Sequence, residues 1–325
     1  MAGGLGSWAV PRRVLLLCVV ATVVLVAPLA GTYLLAGVPA ALGLGMGYLA
    51  SVRAALNLRP LHALALTVPA AMAGAVAVAL RGQPLAAAFF VALCCLLVAP
   101  ANTLVDALLA GVPTAAAVLV SVPGDFRPWP TAVLMLAGGL VVVGLASRLG
   151  HAPSSPAAVP SPLAWRHAIV MAVAVGAVVF LVQLLEWPHG YWVALTLTVV
   201  LRPFDDQTRA LARQRVLGTV GGVLLALLLA TLLPVAVVAV ALATCLVLTL
   251  AYTMVGDHAR QVVFLTPSVV LLGSTGSAGA IAAERALYTV AGALVAVGIA
   301  LALTSWDSAR HAPAVPAAGK PPGTG

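Results

Sequence analysis

Charged residues are scarce in this sequence. They make up 7% of the 325 residues, with 8 acidic and 16 basic side chains. A soluble domain carries about 25% charged residues, which its water-exposed surface needs. In contrast, 63% of the residues are hydrophobic, and the mean hydropathy is +1.15. The composition therefore excludes a soluble enzyme and a nucleic-acid-binding protein, and it predicts that most of the chain lies in lipid.

The sequence also lacks the common catalytic and metal-binding motifs. Its single lysine, Lys320, lies in the tail, so no P-loop is present. The four cysteines lie inside apolar runs, without a histidine or cysteine at metal-ligand spacing. We therefore expect no enzymatic activity, no metal and no cofactor. Energy for any transport would have to come from an ion gradient or from another subunit.

Apolar runs bounded by charges, proline or glycine predict about twelve membrane helices. A helix that crosses a bilayer needs roughly 20 apolar residues, and twelve such helices fit this length if the loops are short. The predicted fold class is therefore an all-α polytopic membrane protein. The runs are 14–36, 38–52, 60–80, 84–101, 104–122 and 130–147, then 167–186, 190–202, 215–233, 235–253, 260–273 and 285–304.

The two sets of six runs show signs of internal duplication. An offset of about 154 residues pairs Ala137 with Ala291, Gly138 with Gly292, Gly144 with Gly298, Pro113 with Pro267 and Arg59 with Arg213. Six spans in each copy would give two parallel repeats. The predicted organisation is an N-terminal membrane repeat (1–147), a cytoplasmic linker rich in proline and serine (148–166), a C-terminal membrane repeat (167–306) and a disordered tail (307–325).

The distribution of basic residues predicts the orientation. If twelve spans alternate from a cytoplasmic N-terminus, about thirteen arginines and lysines fall on the inside, and only Arg81, Arg127 and Arg285 fall outside. This bias places both termini in the cytoplasm. The basic residues stand singly, so their expected partner is membrane lipid and not nucleic acid. Arginine outnumbers lysine about fifteen to one, which favours a bacterial cell membrane as the location.

One stretch in the second half carries a recognisable pattern. The run Gly190–Thr196 reads Gly-Tyr-Trp-Val-Ala-Leu-Thr, and after a polar loop the sequence reaches Arg215, Gly218, Thr219 and Gly221. This pattern resembles the fusaric acid resistance / aromatic acid exporter family of bacterial membrane proteins. The resemblance is clear over about 165–305 and faint over 14–147. It implies a membrane transporter without a cofactor.

Seven residues of this region are candidates for binding a substrate. Tyr191, Trp192, Thr196 and Thr198 could line a pathway, the rings stacking on an aromatic acid and the hydroxyls bonding its polar groups. The alternative is an interfacial aromatic belt. Arg202, Arg213 and Arg215 could bind a carboxylate by bidentate hydrogen bonds. The alternative is that they only anchor the topology at the interface, where an arginine is cheapest to place.

Two further features of the sequence predict close helix contacts and the place of a transporter site. Small residues that let helices approach closely recur at Gly43 and Gly47 in the first half, and at Gly218, Gly221 and Gly222 in the second. The runs 38–52 and 190–202 are both short for a span and hold corresponding positions, which is a pointer to a transporter site.

The favoured function is a secondary transporter that exports aromatic or other hydrophobic carboxylic acids across the bacterial inner membrane. Two alternatives stay open: a passive organic-anion channel of the same architecture, and a non-transporting membrane partner in envelope assembly. The chain could form a complete path alone or work as a homo-oligomer.

Overall fold

A computed structural model describes residues 10–105, 108–149, 158–187, 189–272 and 278–310. Within these ranges the chain forms α-helices and no strands, which confirms the all-α prediction. The helices are α1 (Arg12–Asn57), α2 (Pro60–Ala79), α3 (Pro84–Leu96), α4 (Val98–Asn102), α5 (Gly111–Ser121), α6 (Pro128–Arg148), α7 (Ser161–Leu184), α8 (Tyr191–Val200), α9 (Asp205–Leu232), α10 (Val235–Val255), α11 (His258–Leu272) and α12 (Ala278–Arg310).

Proline and glycine set many of the helix ends. Pro60, Pro84 and Pro128 stand in the first turn of α2, α3 and α6, where the missing N–H of proline would have no helical partner in any case. Gly256 follows the last residue of α10 with a φ of 81°, the left-handed conformation that closes a helix and that glycine adopts without strain. The breaks in the apolar sequence are therefore the breaks in the fold.

Helix α1 turns back on itself at Gly37. This residue has φ 78° and ψ −172°, a backbone conformation that only glycine adopts easily. The hydroxyl of Tyr48, beyond the turn, donates a hydrogen bond of 3.0 Å to the carbonyl of Leu25, before it. The arms 12–36 and 38–57 therefore run antiparallel, as the separate runs 14–36 and 38–52 predict. The second arm has about 20 residues, enough to cross a bilayer, so its expected shortness is wrong.

Eight helices of the described residues are long and apolar enough to cross a membrane, counting α1 once and joining α3 with α4. Helices α5 and α8 are shorter, with 11 and 10 residues. At 1.5 Å per residue they reach only about 15–17 Å, half the thickness of the hydrocarbon core. Each of the twelve predicted runs overlaps a helix of the described residues, but fewer than twelve of these helices have full spanning length.

Several predicted boundaries differ from the structure. Helix α7 begins at Ser161, so residues 161–166 are helical and not part of a linker. Helix α9 begins ten residues earlier than the apolar run, because the polar segment from Asp205 continues directly into it. Helix α12 covers 278–310, so the predicted tail starts too early. Linker residues 150–157 and tail residues 311–325 lie outside the described residues.

The two halves of the chain interlock. Helix α7 of the second half packs against α3 and α4 of the first, and α1 of the first half contacts α10 of the second. Gly176 of α7 shows how close this packing is, because a methyl group there would lie 3.3 Å from the Cβ atom of Ala92. Val91 of α3 and Val175 and Val179 of α7 share the largest buried cluster. The core therefore crosses the boundary between the halves.

Glycines bring three pairs of helices into close contact. A Cβ atom at Gly47, in the second arm of α1, would overlap the carbonyl oxygen of Met135 in α6. A Cβ atom at Gly218 in α9 would lie 2.6 Å from the carbonyl oxygen of Ala259 in α11. At Gly292 in α12 it would lie 2.8 Å from the Cβ atom of Thr196 in α8. At all three sites a larger residue would force the helices apart.

The register of these contacts shows that each pair is parallel. Gly43 lies against Leu134 and Gly47 against Met135, so residue numbers rise together along α1 and α6. In the same way Gly218 lies against Ala259, and further along α9 Gly222 lies 2.5 Å from the Cβ atom of Thr266. Gly221, on the same face of α9, approaches Val263 at 3.3 Å.

Candidate anion-binding site

Two arginines are buried inside helices of the second half. Arg215 of α9 is 5% exposed and Arg285 of α12 is 2% exposed. At 1.5 Å per residue they lie about 15 Å and 10 Å from the starts of their helices, so neither sits at a helix end. Helices α9 and α12 pack against one another, so the two arginines belong to neighbouring helices. Buried arginines in apolar helices are costly and mark functional sites.

The guanidinium group of Arg285 lies over the indole ring of Trp192 in α8. Its central carbon is 4.2 Å from the ring centroid, a cation–π distance. The Nε and Nη1 atoms of Arg285 and the Nε atom of Arg215 are buried, and none has a hydrogen-bond partner among the described residues. A buried donor without a partner is expensive, and one that carries charge is more so. These groups are therefore available to bind an anion.

Further polar atoms without partners surround the arginines. Thr196 follows Trp192 by four residues on α8, and Thr219 follows Arg215 by four on α9, so each lies on the same helix face as its neighbour. Both hydroxyls are buried and have no hydrogen-bond partner within the described residues. The same holds for the Nε2 atom of His258 in α11, the residue before Ala259, which packs against Gly218 of α9. Unpartnered polar atoms from four helices thus lie in one region.

Gly292 allows α8 to approach α12 at this point. It follows Arg285 by seven residues, two helical turns along the same face. A Cβ atom there would lie 3.2 Å from the carbonyl oxygen of Val193 and 2.8 Å from Thr196. The absence of a side chain at Gly292 lets Thr196 lie against α12 there, while Trp192, one turn earlier on α8, lies against Arg285.

Aromatic rings close the site toward the beginning of α8. The rings of Tyr191 and Trp192 have centroids 4.9 Å apart, and His189 lies 6.2 Å from Tyr191. The Nδ1 atom of His189 lies 2.7 Å from a carboxylate oxygen of Glu284, the residue before Arg285. The turn that precedes α8 is therefore tied to α12 beside the buried arginine.

Four of the seven sequence-predicted candidates lie in this region. Trp192, Thr196 and Arg215 contribute to it directly, and Tyr191 packs on Trp192. Thr198 does not, because its hydroxyl oxygen accepts a hydrogen bond of 2.9 Å from Thr114 of α5 and donates to the carbonyl of Leu195. It joins the two halves instead of facing the arginines.

The other two candidate arginines lie elsewhere. Arg213 is exposed on α9. Arg202 lies after the end of α8, beside Arg166 and His167 of α7. Its backbone N–H donates a hydrogen bond of 3.0 Å to the hydroxyl of Thr208. Arg215 is the only one of the three predicted arginines that is buried among the described residues, and it lies deeper than the interfacial position expected for it.

Sequence reasoning missed the most deeply buried arginine. Arg285 counts as an outer-loop residue in the prediction, because the apolar run begins there, but α12 starts seven residues earlier. A signal was present in the spacing of Arg285, Thr289, Gly292 and Ala296, which places a charge in line with small residues on one face. Such a face packs against another helix, so a charge on it is buried.

The described residues contain no group of three or more histidine, cysteine, aspartate or glutamate side chains that could hold a metal ion. The nitrogen donors at the site are guanidinium groups, which do not ligate metals but bind carboxylates and phosphates. The chemistry that the arrangement offers is therefore recognition of an anion beside aromatic rings.

Part of the chain is similar to known proteins. Residues 174–299, which include Trp192, Arg215 and Arg285, match the family model described as fusaric acid resistance protein-like. A stretch of 74 residues, 23% of the chain, is 35% identical to an uncharacterized protein of Haemophilus influenzae and covers 10% of that protein's length. No solved structure matches the chain. With its apolar helices this is a multi-pass membrane protein, and over residues 174–299 it is similar to the fusaric acid resistance protein-like family.

Proposed function

We propose that the protein is a secondary membrane transporter that exports aromatic or other hydrophobic carboxylic acids across the bacterial inner membrane. The observation that carries this proposal is the buried guanidinium group of Arg285, which lies on the ring of Trp192 with two nitrogen atoms unpartnered among the described residues. A carboxylate would supply the missing acceptors, and its aromatic ring would find Trp192 and Tyr191 beside it.

The location of the site suits transport. Arg285 and Arg215 lie well inside α12 and α9, near the depth at which transporters bind substrate between helices. The short helix α8 begins beside Arg285, and discontinuous helices are found at such sites. A charge held there without a carboxylate partner stays favourable only if a ligand neutralises it for part of the cycle.

The proposed topology has both termini in the cytoplasm and twelve alternating segments. In such a chain, segments separated by an even number of steps run parallel. The parallel pairs described above obey this rule, since the second arm of α1 and α6 are both even-numbered segments, as are α8 and α12. The proposal includes the two parallel repeats, offset by about 154 residues, for which these pairs give support.

The test is flux in proteoliposomes that contain the purified protein. We expect labelled benzoate and 3-phenylpropionate to move faster than in empty liposomes, and an imposed proton gradient to drive them against their own gradient. Arg285→Gln should abolish this movement, whereas the matched variant Arg213→Gln, which removes an exposed arginine, should keep it. Flux that responds only to the substrate's own gradient would identify a channel. No flux of any organic anion would favour an assembly role.

A further inference from the structure

An apolar cleft between α1, α6 and α10 has no part in the proposed function. It has a volume of about 330 Å³, within the range of about 300–1,000 Å³ that is typical of ligand sites. Its walls include Leu25 and Val52 from the two arms of α1, Leu145 from α6 and Leu250 and Met254 from α10. It lies where the first half of the chain meets the second.

The interior of the cleft offers no free polar group. Of its described lining side chains only Tyr48 is polar, and that hydroxyl donates to the carbonyl of Leu25. Gly45 widens the cleft, since a Cβ atom there would meet only Leu29 at an ordinary contact distance of 3.6 Å. An occupant must therefore be hydrocarbon along the part that enters.

The cleft lies at one end of the helices. The second arm of α1 ends at Asn57, α6 at Arg148 and α10 at Val255, and the lining continues to within a few residues of each end. Since α1 and α6 run parallel here, their ends lie on the same side of the membrane. An occupant can thus keep its head in water while its tail lies between the helices.

Two exposed arginines stand at this end. Arg53 precedes the lining residue Leu56 by three positions, and Arg148 follows the lining residue Leu145 by three, so each is a surface neighbour of the cleft wall. Neither has a carboxylate partner among the described residues. The apolar cleft, with two guanidinium groups at its open end, is therefore suited to bind a molecule that has an apolar chain and an anionic head.

We propose that this cleft binds an anionic glycerophospholipid, with one acyl chain between α1, α6 and α10 and the phosphate against Arg53 and Arg148. Basic groups between helices at one membrane face are a recognised way of holding anionic lipid. Because the lipid would touch α1 and α6 on one side and α10 on the other, it would join the two halves of the chain. This inference is independent of what the protein transports.

The test is native mass spectrometry of the purified protein with phosphatidylglycerol and with phosphatidylcholine of identical acyl chains. We expect the wild type to retain phosphatidylglycerol preferentially. Replacement of both arginines in Arg53→Gln/Arg148→Gln should reduce that preference by about five-fold per arginine. The matched control Arg213→Gln removes an exposed arginine of α9, a helix that does not line the cleft, and should leave the preference unchanged.

A second variant tests the hydrocarbon part. Gly45→Leu fills the cleft without touching backbone atoms, and it should lower retention of both lipids while the melting temperature in detergent stays within a few degrees. Equal retention of the two lipids by the wild type, or lipid retention unchanged in both variants, would overturn the proposal. So would displacement of the lipid by benzoate, since the cleft would then be a substrate site.

Discussion

Each half of the chain contains a pair of parallel helices that pack closely at a glycine, Gly138 in the first half and Gly292 in the second. The two pairs differ in the residue that stands seven positions before that glycine. In the first half, α1 packs on α6, and a Cβ atom at Gly43 would lie 3.7 Å from the Cα atom of Thr131. In the second half, α8 packs on α12, and Trp192 lies against Arg285. Thr131 and Arg285 are separated by the same 154 residues as Gly138 and Gly292.

The comparison distinguishes a helix contact that only packs from a helix contact that could bind a ligand. In the first pair, Gly47 and Gly138 meet backbone atoms of the facing helix. In the second pair an aromatic ring and a guanidinium group occupy the corresponding place, with donors that no described residue satisfies. The same helix geometry therefore serves as a structural joint in one half and as a candidate ligand site in the other.

The largest expected effect comes from moving the charge into the first half. Thr131→Arg would put a guanidinium group into the close contact between α6 and Gly43 of α1. We expect a loss of at least about 3 kcal/mol in stability, from burial of an unpaired charge in a packed interface. Thermal unfolding in detergent measures it. Thr131→Val, which keeps the shape, is the control, and equal melting of the two variants would contradict the account.

The reverse change, Arg285→Thr, places in the second pair the residue type that the first pair has at the corresponding position, Thr131. It removes a buried charge without a described partner, so the protein should unfold at the same temperature as the wild type or higher. Substrate affinity should fall by about 10- to 150-fold, corresponding to loss of a charged hydrogen bond worth about 1.5–3 kcal/mol. A variant that loses stability and affinity together would indicate a purely structural arginine.

Close packing at Gly292 can be tested against a glycine in an open place. Gly292→Leu should destabilise the protein by about 1–3 kcal/mol and weaken transport, because the side chain must displace Thr196. Gly298→Leu, six residues further along α12, has no neighbour within 4 Å and should be tolerated. Comparable melting temperatures for the two variants would show that α8 and α12 do not approach as described.

The aromatic contribution should be smaller. Trp192→Leu removes the ring below Arg285, a contact worth about 0.5–2 kcal/mol, and should raise the KM for aromatic acids several-fold. Trp192→Phe should restore part of the loss, because it keeps a π-face. A matched loss for an aliphatic acid of similar size would mean that the ring acts on Arg285 and not on the substrate.

The smallest effect is expected from loss of the hydrogen bond that links the two halves of the chain. Thr198→Val removes the hydrogen bond to Thr114 and should cost about 1 kcal/mol of stability while transport continues at the wild-type rate. Thr114→Val added to it should cost little more, since both partners are then apolar. Loss of transport in Thr198→Val with normal expression would return this residue to the pathway.

Much of the fold could be predicted because lipid restricts the options. Backbone groups in hydrocarbon must be satisfied within a helix, so apolar runs bounded by proline and glycine become helices. The turn at Gly37 shows this, since a single glycine separates two runs. The ends of the helices were harder to predict. The polar start of α9 from Asp205 and the start of α12 before Arg285 carry no apolar signal, although both are helical.

Only part of the site could be predicted, because hydropathy identifies helices but does not show which of them meet. Trp192, Thr196 and Arg215 stand out as an aromatic, a hydroxyl and a charge in apolar sequence. Their partners come from α12 and α11, which are distant in the chain, and hydropathy alone cannot show that Arg285 and His258 meet them. Thr198 shares a run with Thr196, but two residues on a helix turn the side chain to another face.

The central claim is that the buried guanidinium group of Arg285 binds the anion. Isothermal titration of benzoate into the detergent-solubilised protein tests it directly, with Arg285→Gln beside the control Arg213→Gln. The account predicts saturable binding to the wild type and to the control, and binding at least ten-fold weaker in Arg285→Gln with an unchanged melting temperature. Equal affinity in all three proteins would contradict it.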